Sequence, residues 1–226
     1  MKCLIMSGGP LDRAFVEKFL SDREYGCVIA VDAGLSACFE LGLKPALAVG
    51  DFDTFGRERA EELRARHGME FEIHRPEKDE TDTELAIHAA IRAGYHEADL
   101  LGGLGGRIDH EISNIQLLLQ GKRRGLSVSL YNEGNKVSLL DGTAGCTAVF
   151  SREGLYGSYV SFLPLTETVK GITLTGFKYP LHKKDISILE NPSLCVSNEV
   201  VEKEAKITFD QGILICVESR DQKRGG

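Results

Sequence analysis

Tryptophan, closely spaced cysteines and long apolar runs are all missing from this sequence. Its six cysteines lie far apart and mostly within apolar runs, which argues against a C-x-x-C zinc site and favours buried, reduced thiols. A membrane span needs about 20 apolar residues in a row, and the N-terminal apolar run is too short even for a signal peptide. We therefore expect a cytoplasmic protein with no membrane partner.

Positive charge is in the minority. The chain has 27 Lys and Arg residues against 34 Asp and Glu residues, which gives a formal net charge of -7. Because nucleic acids and anionic membranes are bound through clusters of Lys and Arg, we expect no nucleic-acid partner. An anionic substrate would need locally placed cations or a metal ion. The length of 226 residues suffices for one large domain or two small ones.

The apolar runs change character at about residue 133. Before it, they alternate with amphipathic helical patterns, which predicts βαβ units and a parallel sheet with helices on both faces. After it, short strand-like runs are separated by Gly, Pro or Asn, which predicts a small antiparallel sandwich. We therefore predict an α/β protein with an α/β/α domain over residues 1–133 and an all-β sandwich over residues 134–226. The expected strands are CLIM, CVIAV, ALAV, EFEIH, ADLL and SVSLY, then KVSLLD, CTAVF, YVSFLPL, GITLTG, LCVSN, AKITF and ILICVES.

Two helices of the first half have marked ends. Thr81 and Glu84 have the spacing of a capping box, which predicts a helix that begins just after Thr81. A second helix is predicted from about Asp109 to Gln120, and Gly121 is expected to end it. Its expected apolar face consists of Ile112, Ile115 and Leu119.

Acidic residues recur where the predicted strands of the first half end. Asp32 follows CVIAV, Asp51 and Asp53 follow ALAVG, and Asp79 and Asp82 follow EFEIHRPEK. In an open parallel sheet, ligands bind outside the carboxyl ends of the strands. The repeated placement favours a site there, although any single aspartate is as well explained as a loop or helix-cap residue.

Asp51 and Asp53 form a carboxylate pair within GDFD. In extended backbone, side chains two residues apart point the same way, so both carboxylates can bind one hard cation. Two carboxylates at close range are unfavourable without a proton or a metal ion. Mg²⁺ resolves this conflict and commonly recruits phosphate oxygens as further ligands.

The turn GGLGGR, Gly102–Arg107, follows the run ADLL. Its four glycines allow backbone N–H groups to approach a phosphate, and the following helix start adds partial positive charge. The turn matches neither the P-loop nor the dinucleotide fingerprint, so it is a weak signal by itself. Arg107 strengthens it because a guanidinium binds phosphate through two donors, unless Asp109 holds it or it is an idle surface residue. His110 is interpreted as a residue of the first helical turn.

Together these segments resemble one family, the thiamine pyrophosphokinases. VGDFDT resembles the family's G-D-F-D-S segment, KDETDTE its K-D-x-T-D-x-E segment and GGLGGRIDH its G-x-x-G-x-R-x-D-H segment. LPLTETVKGITLTGFKYPL and VSNE in the second half also resemble it, so the likeness covers nearly the whole chain. Thr54 stands where the family has Ser, which keeps a hydroxyl. No Trp is present to approach the thiamine ring, as an indole does in some relatives.

The resemblance implies transfer of a diphosphate from ATP to the hydroxyl of thiamine, giving thiamine diphosphate and AMP. It implies that the first domain binds nucleotide and Mg²⁺, with Asp51, Asp53 and Asp82 as metal ligands. Its implied catalytic residues are these three with Arg107 and Asp109, and its implied nucleotide-binding residues are Asp32, Lys78, Asp79, Thr81, Gly103, Arg107 and Asp109. It further implies a homodimer in which the sandwich of a partner subunit contributes Ser197 and Asn198 to the thiamine site. By themselves, a Ser and an Asn after a strand more often form a turn.

Two other functions fit the same residues. A glycosyltransferase or phosphohydrolase that depends on Mg²⁺ also uses a D-x-D pair beside a phosphate loop, and it would release AMP without thiamine. A non-catalytic nucleotide sensor would bind ATP and release no AMP.

Overall fold

The computed structural model describes residues 1–50, 62, 65–66, 68–73 and 79–221. The chain divides into two compact units, Met1–Glu133 and Gly134–Gly226. Within the described ranges, no helix is both long enough and apolar enough to cross a membrane.

The first unit contains a sheet in which every strand pair is parallel. The strand order is β4-β3-β2-β1-β5-β6. β1 lies in the middle, and its residues Cys3–Met6 are fully buried, as expected for a strand covered on both faces. The strands are β1 Lys2–Met6, β2 Tyr25–Val31, β3 Leu47–Gly50, β4 Glu70–Ile73, β5 Glu97–Leu101 and β6 Ser127–Tyr131. All six coincide with runs that the sequence predicts as strands.

The strand order reverses beside β1. From β1 the chain moves outward through β2, β3 and β4, and then returns to pair β5 with the other side of β1. Loops that leave neighbouring strands in opposite directions at such a point open a crevice at the carboxyl ends of the strands. The topology therefore places a ligand crevice beyond the ends of β1 and β5.

The continuous helices among the described residues of the first unit are α1 Arg13–Ser21, α2 Gly34–Glu40, α3 Asp82–Arg92 and α4 Ile108–Arg123. Thr81 is the N-cap of α3, and its hydroxyl accepts the Glu84 backbone N–H at 3.2 Å. The start predicted from the capping-box spacing is thus confirmed. The Glu84 carboxylate does not close the box, because it accepts a 2.6 Å hydrogen bond from the Gln120 side chain.

α4 differs from its predicted end and face. It continues past Gly121 to Arg123, and Gly125, with a φ of 90°, follows it. Gly121 is buried, and a Cβ there would lie only 3.1 Å from the Leu126 carbonyl oxygen. The glycine therefore permits close packing rather than ending the helix. The predicted apolar face is wrong as well: Ile112 is 51% exposed. The buried face consists of Asn114, Leu117, Leu118 and Gly121.

The second unit is built from antiparallel strands. β7, β13 and β9 pair in that order, and β11-β10-β12-β8 form a separate sheet. Side chains from both sets share one core, in which Phe162 of β9 and Ile207 of β12 are fully buried. The strands are β7 Asn135–Asp141, β8 Cys146–Ser151, β9 Tyr159–Pro164, β10 Thr168–Thr175, β11 Leu181–Ser187, β12 Glu204–Phe209 and β13 Ile213–Ser219. The predicted α/β fold class with a C-terminal β-sandwich is confirmed.

Two segments of the second unit differ from the prediction. LCVSN forms turns, with a single β-bridge between Asn198 and Val160. The polar segment LHKKDIS, which carries no strand signal in the sequence, forms β11 at a sheet edge. An edge strand exposes most of its side chains, so Ile186 alone is deeply buried while the lysines lie in solvent.

Candidate functional site

A pocket of about 490 Å³ lies at the carboxyl ends of β1, β2 and β5. This volume lies in the range of small-molecule sites. Its position is the crevice that the strand order requires beyond β1 and β5. The lining residues come from the loops after these strands and from the first turns of α3 and α4: Ser7, Gly8, Gly9, Pro10, Val31, Asp32, Ala33, Glu80, Thr81, Asp82, Thr83, Gly102, Gly103, Leu104, Gly106, Arg107, His110, Glu111 and Asn114.

Backbone hydrogen bonds hold the loops after β1 and β5 together at the floor of the pocket. Ser7 N–H donates to the Leu101 carbonyl at 2.8 Å, and Gly9 N–H donates to the Gly102 carbonyl at 3.1 Å. Gly102 has a φ of 73°, and a Cβ there would overlap the Ser7 carbonyl oxygen. Only glycine permits this approach, so the first glycine of GGLGGR shapes the floor of the pocket.

The N-terminus of α3 is joined to the β1 loop through side chains. The hydroxyls of Ser7 and Thr83 lie 3.1 Å apart and are both buried. This bond fixes the first helical turn, which carries the half-buried Asp82, against the loop. Because backbone N–H groups at a helix start are unpaired and carry partial positive charge, this end of α3 suits an anion.

The glycine turn is held by two side chains of α4. Asn114, which is buried, donates its amide N–H to the Gly103 carbonyl at 2.9 Å. Glu111 accepts the Gly105 backbone N–H at 3.0 Å. A carboxylate on that amide shows that the turn presents an N–H group to an anion, as phosphate-binding turns do.

Arg107 and Asp109 form an ion pair at the pocket rim. Two guanidinium nitrogens of Arg107 contact the two carboxylate oxygens at 2.6 and 3.1 Å. The hydrogen bond from Arg107 lowers the pKa of Asp109 below its ordinary value. The Arg107 side chain is 74% exposed and lines the pocket. Because Asp109 holds its guanidinium through two hydrogen bonds, the planar fork is oriented at the rim.

The charges of the pocket lining are mostly negative. The lining includes one arginine, Arg107, and four carboxylate residues: Asp32, Glu80, Asp82 and Glu111. Asp32 follows β2 with a left-handed φ of 46°, and its Oδ1 is buried. Among the residues that the structure describes, no three His, Cys, Asp or Glu side chains come together as a metal site. The described carboxylates suit a hard cation chemically, but they do not complete its ligand set.

In the second unit, an asparagine holds an exposed aromatic residue. Asn198 is only 2% exposed and lies directly after Ser197, which has a left-handed φ of 55°. Its Oδ1 accepts the Tyr179 backbone N–H at 3.0 Å, and its Nδ2 donates to the Tyr179 carbonyl at 2.9 Å. The Tyr179 side chain is 58% exposed. A rigid backbone thus presents an aromatic ring to solvent.

Two family models match separate parts of the chain. "Thiamin pyrophosphokinase, catalytic domain" matches residues 18–130 and "Thiamin pyrophosphokinase, vitamin B1 binding domain" matches residues 146–214. Thiamine pyrophosphokinase of Bacillus subtilis is 31% identical over 217 residues, which cover 96% of this chain and 98% of that protein. The chain belongs to the thiamin pyrophosphokinase family.

Solved structures of the thiamin pyrophosphokinase family share this architecture over the full chain. The enzyme from Geobacillus thermodenitrificans superposes with a TM-score of 0.81 at 32% identity and covers 99% of both chains. The enzyme from Bacillus subtilis superposes with a TM-score of 0.83 at 28% identity, covering 98% of this chain and 100% of that one. The resemblance stated from the motifs is confirmed.

The residues that the thiamin pyrophosphokinase resemblance assigns to nucleotide or, for Asp82, to the metal are partly brought together. Asp32, Thr81, Asp82, Gly103 and Arg107 line the one pocket described above. Asp79 is exposed and Asp109 faces Arg107, and neither lines the pocket, whereas the neighbouring Glu80 does. The binding and catalytic roles of these residues stay predictions.

Three further assigned residues, Asp51, Asp53 and Lys78, lie outside the described residues. The predicted metal pair is among them, and Asp82 is the remaining metal ligand of the prediction. In the second unit, Ser197 is exposed while Asn198 is buried against Tyr179. Their predicted contact with thiamine also stays a prediction.

Sequence reasoning missed the loop SGGP, Ser7–Pro10, which lines the pocket directly after β1. The rule that located the aspartates, a polar or glycine-rich segment after a buried strand, would have found it. It also missed Asn114 and Tyr179. An asparagine among apolar helical residues reads as a solvent-facing position, and no local pattern pairs Asn198 with a residue 19 positions earlier.

Proposed function

We propose that this chain transfers the diphosphate of ATP to the hydroxyl of thiamine. In this reaction the hydroxyl oxygen attacks the β-phosphorus, the bond from that phosphorus to the oxygen bridging to the α-phosphate breaks, and AMP leaves with that oxygen. The hydroxyl proton is released. Transfer of this type depends on positioning and on charge neutralisation rather than on a covalent enzyme intermediate.

The pocket at the strand-order reversal carries this proposal. It combines a glycine turn, the N-termini of α3 and α4, and an arginine within one cavity of the first unit. Backbone N–H groups and helix starts bind phosphate oxygens without needing a basic surface. This explains how a chain with a net charge of -7 binds a polyanion.

Among the described residues that line the pocket, Arg107 is the one Lys or Arg residue, and it would contact the transferred phosphates. Its guanidinium matches phosphate geometry through two donors, and the phosphate would replace or share the carboxylate of Asp109. Thr81 and Gly103 would contact the nucleotide through their backbone, since the Thr81 hydroxyl already caps α3.

Mg²⁺ is the proposed cofactor. ATP is strongly anionic, and the pocket adds four carboxylates against one arginine, so binding without a cation would bring like charges together. Asp82 would hold the metal together with Asp51 and Asp53. When bound, the ion would neutralise phosphate charge and orient the polyphosphate.

Thiamine is proposed to bind through the Tyr179 and Ser197–Asn198 segments of the second unit. Thiamine has a cationic thiazolium ring and an aminopyrimidine ring, and both pack favourably on an aromatic face. Asn198 fixes the backbone of Tyr179, so an exposed aromatic ring is available in a chain that has no tryptophan. The Ser197 hydroxyl is exposed and would bond the polar edge of the aminopyrimidine.

We further propose that the enzyme is a cytoplasmic homodimer. The family model that matches residues 146–214 is named for vitamin B1 binding, and the one that matches residues 18–130 is named for catalysis. If two subunits together complete a thiamine site, activity will fall on dilution below the dimer dissociation constant.

The test is product identification with purified chain, ATP, Mg²⁺ and thiamine, using liquid chromatography with mass spectrometry. The proposed function requires thiamine diphosphate and AMP in equal amounts, formed only when all three components are present. AMP release that is independent of thiamine would instead identify a phosphohydrolase. ATP binding without AMP would identify a nucleotide sensor.

A further inference from the structure

Two cysteines lie side by side at the end of the sheet away from the pocket. Cys3 of β1 and Cys27 of β2 are register partners on adjacent parallel strands. Both belong to the amino-terminal halves of their strands, whereas the pocket lies beyond the carboxyl ends. All six cysteines of the chain are thiols in this structure. The proposed diphosphate transfer uses none of them.

The spacing of neighbouring strands suits a disulfide. Adjacent strands lie about 4.7–4.9 Å apart, and disulfide-bonded cysteines have Cα–Cα distances of about 4.4–6.8 Å. Register partners in a parallel pair direct their side chains to the same face of the sheet. The strand pairing therefore places Cys3 and Cys27 within the Cα–Cα range of a disulfide.

The two thiols differ in reactivity. The Cys27 sulfur lies in hydrogen-bonding range of the Cys3 thiol and of the Tyr95 hydroxyl. The Leu4 carbonyl is a further acceptor for the Cys3 thiol, at 3.7 Å. The hydrogen bond from Cys3, helped by the one from Tyr95, lowers the pKa of Cys27 to about 7, although partial burial opposes this shift. The same pairing and burial raise the pKa of Cys3 far above its ordinary value. A half-buried thiolate thus lies beside a buried thiol.

We propose that Cys3 and Cys27 form a redox site that a hydroperoxide converts reversibly to a disulfide. The Cys27 thiolate attacks one peroxide oxygen and the O–O bond breaks, which gives a sulfenic acid and hydroxide. The Cys3 thiol then attacks the Cys27 sulfur, and the S–O bond breaks to release water. In total, two thiols lose two electrons and two protons, and one hydrogen peroxide becomes two water molecules. A dithiol reductant reverses the oxidation.

No strand pairing among the described residues places Cys146 or Cys216 opposite another cysteine. Cys146 has Phe209 as its strand partner, and Cys216 has Ser138 and Phe162. Burial raises the pKa of Cys38 and that of Cys216 to about 12, which keeps both thiols protonated and slow to react. Oxidation is therefore expected to select Cys27 first and Cys3 second.

The test uses the full chain treated with an equimolar amount of hydrogen peroxide, followed by alkylation and peptide mapping without reductant. The expected result is a single cross-link between Cys3 and Cys27, a loss of two alkylatable thiols, and full recovery of both after dithiothreitol. Tandem mass spectrometry must assign the link, because Cys27 and Cys38 fall in the same tryptic peptide.

Variants separate the two steps. In Cys3→Ser, the Cys27 sulfenic acid should persist and be trapped by dimedone, and in Cys27→Ser, Cys3 should stay a thiol. Cys146→Ser is the matched control, since Cys146 is also half-buried, and it should form the wild-type cross-link. Oxidation of Cys27 to a sulfinic acid without a cross-link in the wild-type chain would overturn the proposal. So would oxidation of Cys146 at the same rate as Cys27.

Discussion

The carboxamide of Asn198 is hydrogen-bonded to both backbone polar groups of Tyr179, at 3.0 Å to its N–H and 2.9 Å to its carbonyl. Asn198 is buried and Tyr179 is exposed, so one residue fixes the other. The two residues should therefore act on thiamine together but differ in their effect on stability.

Tyr179→Ala is expected to raise the KM for thiamine several-fold and to leave the KM for ATP and the melting temperature nearly unchanged, because only an exposed ring is removed. Tyr179→Phe keeps the ring and is the control. Asn198→Ala should raise the KM for thiamine too, and also lower the unfolding free energy by about 1–3 kcal/mol, since buried backbone groups lose their partners. Kinetics with each substrate varied, together with thermal melts, measure both effects. Equal changes in both KM values would remove this segment from the thiamine site.

Arg107→Lys is expected to lower kcat/KM for ATP by roughly tenfold while the fold is retained, because a point charge cannot replace the two-donor fork. Arg13→Lys is the matched control, since Arg13 is also an exposed arginine paired with a carboxylate, that of Glu17. Steady-state kinetics of AMP formation compare the two variants. Wild-type turnover in Arg107→Lys would show that the ion pair with Asp109 is its whole role.

Asp82→Asn and Asp53→Asn are each expected to lose most AMP formation and to need a higher Mg²⁺ concentration for what remains, because a neutral amide is a weaker ligand for a hard cation. Asp22→Asn is the control, since Asp22 is an exposed residue at the end of α1 and does not line the pocket. Mg²⁺ titrations of initial rate give the result. An unchanged Mg²⁺ dependence would remove that aspartate from the metal site.

Thr83→Val should lower the melting temperature, because the buried Ser7 hydroxyl loses its partner at a cost of about 1–2 kcal/mol. It should also lower kcat/KM for ATP several-fold. The same change releases the first turn of α3 from the β1 loop. Thr83→Ser keeps the hydroxyl and should restore both values. Loss of stability with unchanged kinetics would confine this hydrogen bond to a structural role.

The oxidation rate of Cys27 is expected to follow its thiolate fraction. With a pKa of about 7, the rate should rise between about pH 6 and pH 8 and then level off, whereas an ordinary thiol would still be accelerating. Tyr95→Phe removes one hydrogen bond to the sulfur and should move the midpoint to higher pH. Alkylation also requires the thiolate, so alkylation rates of Cys27 measured by mass spectrometry across this pH range give the same midpoint. A midpoint near that of a free thiol would contradict the described thiol pairing.

Much of the architecture is readable from local patterns. The six parallel strands and the Thr81 cap coincide with their predicted positions because buried strands need continuous apolar runs and helix caps need a side-chain acceptor. Polar segments after those strands likewise locate the pocket, since parallel strands end at one edge. The strand LHKKDIS was not predicted, because an edge strand needs little apolar surface and its sequence therefore lacks an apolar run.

The sequence by itself determined the family, the two-part organisation and a minority of the residues that line the pocket, Asp32, Thr81, Asp82, Gly103 and Arg107. These features depend on spacing along the chain. Only the tertiary structure decided which face of α4 is buried, why Gly121 lies within the helix, and which groups Asn114, Asn198 and Cys27 contact. The sequence of α4 allows more than one face to be buried, and the elements that pack against the helix decide which face it is. Contacts between distant residues are set by how the strands align, which no short stretch of sequence records.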